Sequence, residues 1–220
     1  MVRHAETVSN KLNETDRIIS GRCPTTPLTD AGITQAQAMG VYFKHMGIKF
    51  SGAYASTALR TQQTAKHCFE AMGDPICLKV DDNLSELSPG DWEGRKGSMY
   101  GHDTLRKTFD VDNWNFVPGD VVQGESQRSV AERMLVCIKK IVLSHCKKET
   151  DFPGSEVRNV IIFSHGLAIK CLLAELLDEP RNDAFRTQID NTGLTILRFE
   201  GTEFKTPPEI RNERPHLTHQ

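Results

Sequence analysis

The chain has 220 residues, 38% of them hydrophobic and 25% charged, and carries a formal net charge of −2. That length suits one domain, or one domain with an insertion. The near-neutral balance supplies no bulk basic field for nucleic acid or an anionic membrane, so any anion-binding site has to be local.

The first element is a very short strand ending at Arg3-His4, with only Met1 and Val2 before the pair. Residues 29–47 read as a helix that starts at the cap Thr29 and stops at Gly47, with Ile33, Ala36, Gly40 and Phe43 at helical spacing. The run 52–56 (GAYAS) reads as a strand, and 57–73 as a helix with Arg60 in its first turn. A third strand follows at 76–80 (ICLKV). From about Asp91 to Val122 the periodicity is weak, with two Trp and several Gly and Pro, which reads as a loop-rich insertion. The next helix begins near Ser126 and keeps Val130, Met134, Cys137, Ile138, Ile141 and Val142 on one face. The run 159–164 (NVIIFS) is a strand that leads through His165 into the nearly all-apolar helix 166–178, and 194–199 (LTILRF) is the last strand. The polar, Pro-rich residues 205–220 read as a flexible tail beyond a single domain at 1–204. Short apolar strands alternating with helices predict an α/β three-layer sandwich: a mostly parallel central sheet with helices on both faces, plus the insertion.

The six cysteines at 23, 68, 77, 137, 146 and 171 form no C-x-x-C. Together with the lack of a signal-peptide-like apolar run, this reads as a cytoplasmic protein with reduced, mostly buried thiols. His and Cys do not cluster at ligand spacing, so no metal and no cofactor is expected. The apolar run 166–177 is too short for a bilayer and is interrupted by Lys170 and Glu175. The HAE at 4–6 matches half of a zinc deaminase site but lacks the P-C-x-x-C half. GDWEGRK at 90–96 lacks the spacing of a P-loop.

What remains is a pattern of position. Arg3-His4, Arg60 and His165 each follow a different strand. In open α/β sheets ligands bind beyond the carboxyl ends of the strands. Singly, a strand-end His or a first-turn Arg is ordinary structure. Jointly, two Arg and two His, with free backbone N–H groups at the helix starts after Ser56 and His165, suit a dianion such as a phosphoryl group.

VRHAETVSN at 2–10 resembles the R-H-G-E-x-x-x-N signature of the histidine phosphatase superfamily, the phosphoglycerate-mutase-like fold. The resemblance continues in family order through SGRCPTTPLTDAG, YASTALRTQQTA, LSELSPGDWEG, GES at 124–126 and FSHG, spanning residues 1–200. The segment after Glu86 is similar to the phosphatase-type branch. Ala5 stands where the family usually has Gly, and a methyl there would crowd the pocket or restrict the backbone.

The resemblance implies that His4 is the nucleophile, giving a phosphohistidine without a metal. Arg3 and Arg60 would grip the phosphoryl oxygens, Asn10 would add a hydrogen bond, and His165 would stabilise equatorial oxygen charge. Glu86 would act as general acid and then base. Ser20 and Gly21 match a substrate-contacting loop, and Gly166 follows the second histidine in the site. Glu6 would orient the site, Arg22 is open between a surface and a specificity role, and Ser126 reads first as a helix cap. The expected partner is a phosphorylated small molecule, with a phosphoprotein also open; neither nucleic acid nor membrane is expected, and the oligomeric state is not fixed. A phosphoglycerate mutase and a weakly active binding or scaffold protein are the competing functions.

Overall fold

The computed structural model describes residues 1–11, 18–96, 112, 114–146, 157–178 and 188–217. In chain order it has β1 (Val2–Arg3), α1 (Val8–Lys11), α2 (Asp30–His45), β2 (Gly52–Ala55), α3 (Leu59–Met72), β3 (Leu78–Val80), α4 (Gln127–His145), β4 (Val160–Ser164), α5 (Gly166–Leu176), β5 (Leu194–Glu200) and β6 (Glu203–Glu213). The strands form one sheet in the order β3-β2-β4-β1-β5-β6. The first four are parallel to one another, and β5 and β6 run antiparallel. The sheet is therefore mostly parallel, as the alternation of elements predicts.

Strand alternation builds a core on each face of the sheet. Ala53, Ala55, Ile161 and Phe163 point to one side and pack with Met39, Phe43, Cys68 and Phe69 of α2 and α3. Tyr54 and Ile162 point to the other and pack with Val130, Met134, Ile138 and Leu172 of α4 and α5. Both faces are covered, which is why the strands read as unbroken apolar runs. Gly40 permits the close crossing of α2 and α3, because a Cβ there would lie 2.1 Å from the Cys68 carbonyl oxygen. Thr29 caps α2 as expected: its Oγ1 accepts from Gly32 N at 3.0 Å and donates to Glu6 Oε1 at 2.7 Å. Glu6 thus joins the segment after β1 to α2. All six cysteines are free thiols; Cys68, Cys137 and Cys171 are buried, Cys77 and Cys146 are exposed.

The C-terminal segment departs from the sequence reading. Residues 205–213 are not a flexible tail but continue β6, and Pro215–Leu217 form a 3-10 turn against α2. The prolines that suggested looseness are tolerated because β6 is an edge strand, where a missing N–H costs no ladder bond. Between the pairs Ile196↔Ile210 and Arg198↔Lys205, β6 takes five steps while β5 takes two, so Pro207 and Pro208 fall in a bulge. His216 is buried and pairs with Thr192 Oγ1 at 2.9 Å.

Of the predicted insertion, 97–111 and 113 lie outside the described residues. Its two described ends are tied together. Asp91 accepts from Asp120 N at 2.8 Å and pairs with Arg95 at 2.9 Å, and Trp114 is buried in the α4–α5 core.

Candidate active site

β1, β2 and β4 are neighbours in the sheet and end at the same edge. Their carboxyl ends carry Arg3-His4, Ser56 and His165. A cavity of about 330 Å³ opens there, lined by Arg3, His4, Asn10, Ser20, Gly21, Arg60 and Glu86, together with Thr7, Ser9, Ile18 and Ile19. Seven of the nine sequence-predicted site residues thus share one wall; His165 and Gly166 lie behind it.

His4 is nearly buried, and its backbone is pinned on both sides: His4 N donates to Ser164 O at 2.9 Å, and Asn191 Nδ2 donates to His4 O at 2.9 Å. Its ring Nδ1 lies 2.8 Å from Ala5 O. A carbonyl can only accept, so Nδ1 carries the proton and Nε2 keeps its lone pair. Burial, followed by the Arg60 and Arg3 charges, holds the imidazole well below its usual pKa and therefore neutral. The Ala5 methyl does not reach the cavity. It is fully buried against Leu28 and Ala36 on the α2 side.

Arg60 is 3% exposed. Its Nη1 donates to Cys23 O at 2.8 Å, and its Nη2 donates to Gly21 O at 2.9 Å and to His165 Nδ1 at 3.0 Å. Since a guanidinium can only donate, His165 Nδ1 is an acceptor, and its Nε2–H donates to Ser56 Oγ at 2.8 Å. Burial, then the Arg60 charge, keeps His165 neutral as well. Both of its ring nitrogens are engaged, with its ring centroid 5.3 Å from that of His4. Arg3 Nη1 donates to Ile189 O at 2.6 Å, and Gly166 packs behind the Arg3 side chain. Asn10 turns its Oδ1 inward to Thr7 N, Thr7 Oγ1 and Asn191 Nδ2.

The carboxylate of Glu86 sits on the start of α5. Its Oε1 accepts from Leu87 N at 3.0 Å and Ala168 N at 2.9 Å, and its Oε2 accepts from Leu167 N at 3.2 Å. This corrects the expectation of free N–H groups at the helix starts. Near Ser56 the donors are likewise engaged: Ala58 N with Ser56 Oγ and Leu59 N with Pro24 O. Buried amides at helix ends demand partners, and here the protein supplies them.

Gly21 adopts φ +43°, and a Cβ on it would lie 2.3 Å from Pro89 Cδ. Only glycine fits both conditions. Arg22 is half-buried and bonds within the protein: it bonds Glu86 O, Asp82, Glu125 and, through its amide, Glu93. Ser126 caps α4, accepting from Ser129 N at 3.1 Å.

Sequence reasoning missed Thr7, Asn191, Glu125 and Arg133. Thr7 lies inside the quoted first block and Glu125 inside GES, so both had a signal. Asn191 and Arg133 had none. Asn191 precedes Thr192, a β-branched residue held at φ +58°, which singles out this turn in the structure. Among the described residues no three His, Cys, Asp or Glu side chains converge to hold a metal ion, and no helix is long and apolar enough to cross a membrane.

A doubly covered α/β sheet carries an Arg- and His-lined cavity at its strand ends, the place where open α/β sheets bind ligands. The chain belongs to the histidine phosphatase superfamily (branch 1), whose family model matches residues 1–207. It is 29% identical over 206 residues to a probable phosphoglycerate mutase of Yersinia pestis (strain Pestoides F), covering 91% of this chain and 84% of that one. Among solved structures it resembles a mycobacterial glucosyl-3-phosphoglycerate phosphatase, with a TM-score of 0.76, 25% identity and 96% of each chain covered. A phosphoserine phosphatase from Entamoeba histolytica shares the fold at a TM-score of 0.71 and 24% identity, over 98% of this chain and 96% of that one.

Proposed function

We propose that the protein hydrolyses phosphoric monoesters through a phosphohistidine on His4, with no metal. The observation that carries this reading is the tautomer of His4. With its Nδ1 proton donated to Ala5 O, Nε2 is an uncharged nucleophile beside two guanidinium groups. Nε2 forms the N–P bond as the bond from phosphorus to the ester oxygen breaks. A protonated Glu86 gives its proton to that leaving oxygen. Water then attacks phosphorus, Glu86 takes its proton, the N–P bond breaks and inorganic phosphate leaves. Three N–H groups hold the Glu86 carboxyl, which leaves one lone-pair direction for this proton traffic. Arg3, Arg60 and Asn10 meet the phosphoryl oxygens. His165 acts one step back, by fixing Arg60, rather than on the oxygens directly. Ser20 and Gly21 form the rim that contacts the rest of the substrate.

The Yersinia relative's name favours a second reading, a phosphoglycerate mutase. A mutase must also grip a carboxylate and shield its intermediate from water. Among the described residues, Arg3 and Arg60 are the only cationic side chains lining the cavity, and Arg95 is held by Asp91 and Asp120. Arg106 and Lys107 lie outside the described residues.

Purified protein should release phosphate from an aryl phosphate in the presence of EDTA and interconvert 2- and 3-phosphoglycerate poorly even with 2,3-bisphosphoglycerate. His4→Ala should lower turnover at least ~10⁴-fold and abolish acid-labile labelling by a radiolabelled phosphate donor. A fully active His4→Ala protein would refute the mechanism. Efficient mutase turnover with negligible phosphate release would refute the choice of water as acceptor.

A further inference from the structure

We infer that Glu125, acting through Arg22 and Arg133, is the positioning residue for Glu86; the inference rests on the acid–base reading of Glu86 given above. Three separate pieces of chain meet at Glu125, the residue before the α4 cap: the loop after Gly21, the loop at Ser88 and the second turn of α4. Glu125 Oε1 accepts from Arg133 Nε at 2.9 Å and Arg22 Nη2 at 3.0 Å. Its Oε2 accepts from Arg133 Nη2 at 3.1 Å and from Ser88 N at 3.0 Å. The side chains of Glu125 and Arg133 are only 21% and 13% exposed, so solvent does not dissolve this pairing as it does an ordinary surface ion pair.

What separates this cluster from a simple structural clamp is where both guanidiniums point. Arg22 Nε donates to the Glu86 carbonyl at 3.1 Å, and Arg133 Nη2 donates to the same oxygen at 3.0 Å. Their remaining donors hold Asp82 and the Asn83 carbonyl, while Glu125 N donates to Ser88 O. The segment 82–88 is thus fixed on either side of Glu86 and at Glu86 itself. The Glu125 carboxylate, which bonds both guanidiniums, offsets the repulsion of two like charges converging on one carbonyl. Burial opposes the charged form of Glu125, but Arg133, the Ser88 amide and Arg22 outweigh it and hold the carboxyl below its usual range.

Neutralising Glu125 leaves the two guanidiniums repelling each other and releases their aim at Glu86, while the fold's two cores are untouched. The loss should therefore appear where an acid is needed. General acid catalysis contributes about 10²- to 10⁴-fold, and most for poor leaving groups. The test measures kcat/KM for a series of monoesters from aryl to alkyl phosphates in the wild type, Glu86→Gln, Glu125→Gln, Glu125→Asp and the Glu86→Gln/Glu125→Gln double variant. Glu125→Gln should lose about 10²-fold on alkyl phosphates and only a few-fold on aryl phosphates, as Glu86→Gln does. The double variant should be no worse than Glu86→Gln alone, and Glu125→Asp should recover part of the loss.

Arg22→Lys, which keeps the charge but loses the Nε donor, should show the same leaving-group pattern more weakly and covers the case of a Glu125 variant that does not fold. Equal losses on aryl and alkyl esters, or additive losses in the double variant, overturn the role of Glu125 while Glu86→Gln keeps its own leaving-group dependence. If Glu86→Gln itself shows no such dependence, the acid–base reading of Glu86 fails, and this inference with it.

Discussion

Ala5→Gly restores the residue usual in the superfamily, and the structure gives it an outcome opposite to the one the sequence suggests. If the methyl crowded the cavity, removing it would raise activity. Instead the methyl is fully buried against Leu28 and Ala36, and Ala5 does not line the cavity. Nor is its backbone strained: among the described residues, the non-glycine residues at positive φ are Asp178, Thr192 and Asn212. The change therefore removes one buried methyl, about 0.8 kcal/mol, and adds backbone freedom to the unfolded chain, about 0.5–1 kcal/mol. Together these cost about 1.5 kcal/mol, or a melting temperature lower by about 3–6 °C for a chain of this size. The two contacts that matter to His4 are made by backbone: Ala5 O accepts from the ring and Ala5 N donates to Thr64 Oγ1. Glycine keeps both, so kcat/KM for an aryl phosphate should stay within about threefold. Thermal unfolding and steady-state kinetics on the same preparation decide it. A tenfold gain in kcat/KM with an unchanged melting temperature would show that the methyl does obstruct the site.

Two further changes probe the loop and the histidines. Gly21→Ala meets both a positive φ and Pro89, which costs about 2–4 kcal/mol in urea unfolding; because Gly21 O holds Arg60, inhibition by inorganic phosphate should weaken about tenfold, and an unaltered inhibition constant would count against the loop's role. His216 is lowered from 6.5 to about 4 by burial and then by the Arg214 charge, so below pH 6.5 the unfolded chain binds a proton that the folded chain refuses. Its contribution is complete above pH 6.5 and is lost as pH falls towards 4, by on the order of 1 kcal/mol at pH 5.5, with His4 and His165 adding in the same direction. His216→Asn should flatten the drop in urea midpoint between pH 7.5 and 5.5, and an identical drop in the variant would contradict this.

The helices and strands were legible wherever a single physical signal governed them. Thr29 caps α2, the α4 face keeps its period, and the central strands are apolar on both faces because both faces are covered. The C-terminal strand was not legible, because local composition in 205–213 argues for a loop and only the edge position of β6 and its pairing with β5 override it. The same division holds in the site. Arg3, His4 and Arg60 come from motifs at strand ends, and Glu86 from the resemblance of the block LSELSPGDWEG. The partners that fix them, such as Asn191 on His4 O and Glu125 with Arg133 around Glu86, are set by tertiary proximity, with donor and acceptor up to 187 positions apart. No local pattern encodes such a distance.

That second set also changes how the site handles charge. The sequence alone offers a dianion two helix starts, and at each the protein engages two of the amides with its own groups. The donors beside Ser56 bond within the protein, and Leu167 and Ala168 at the start of α5 hold Glu86. Both histidines are neutral, so neither adds positive charge. On the proposed mechanism the phosphoryl charge therefore falls to Arg3 and Arg60. A guanidinium suits this better than an ammonium, since it stays charged when buried and can hold a backbone carbonyl and a phosphoryl oxygen with the same planar fork. Arg60 shows why that fork is needed: it already spends donors on Cys23 O, Gly21 O and His165. The positive end of α5, meanwhile, serves a carboxylate that belongs to the protein. On the proposed mechanism the helix terminus fixes the group that moves protons and the arginines carry the anion.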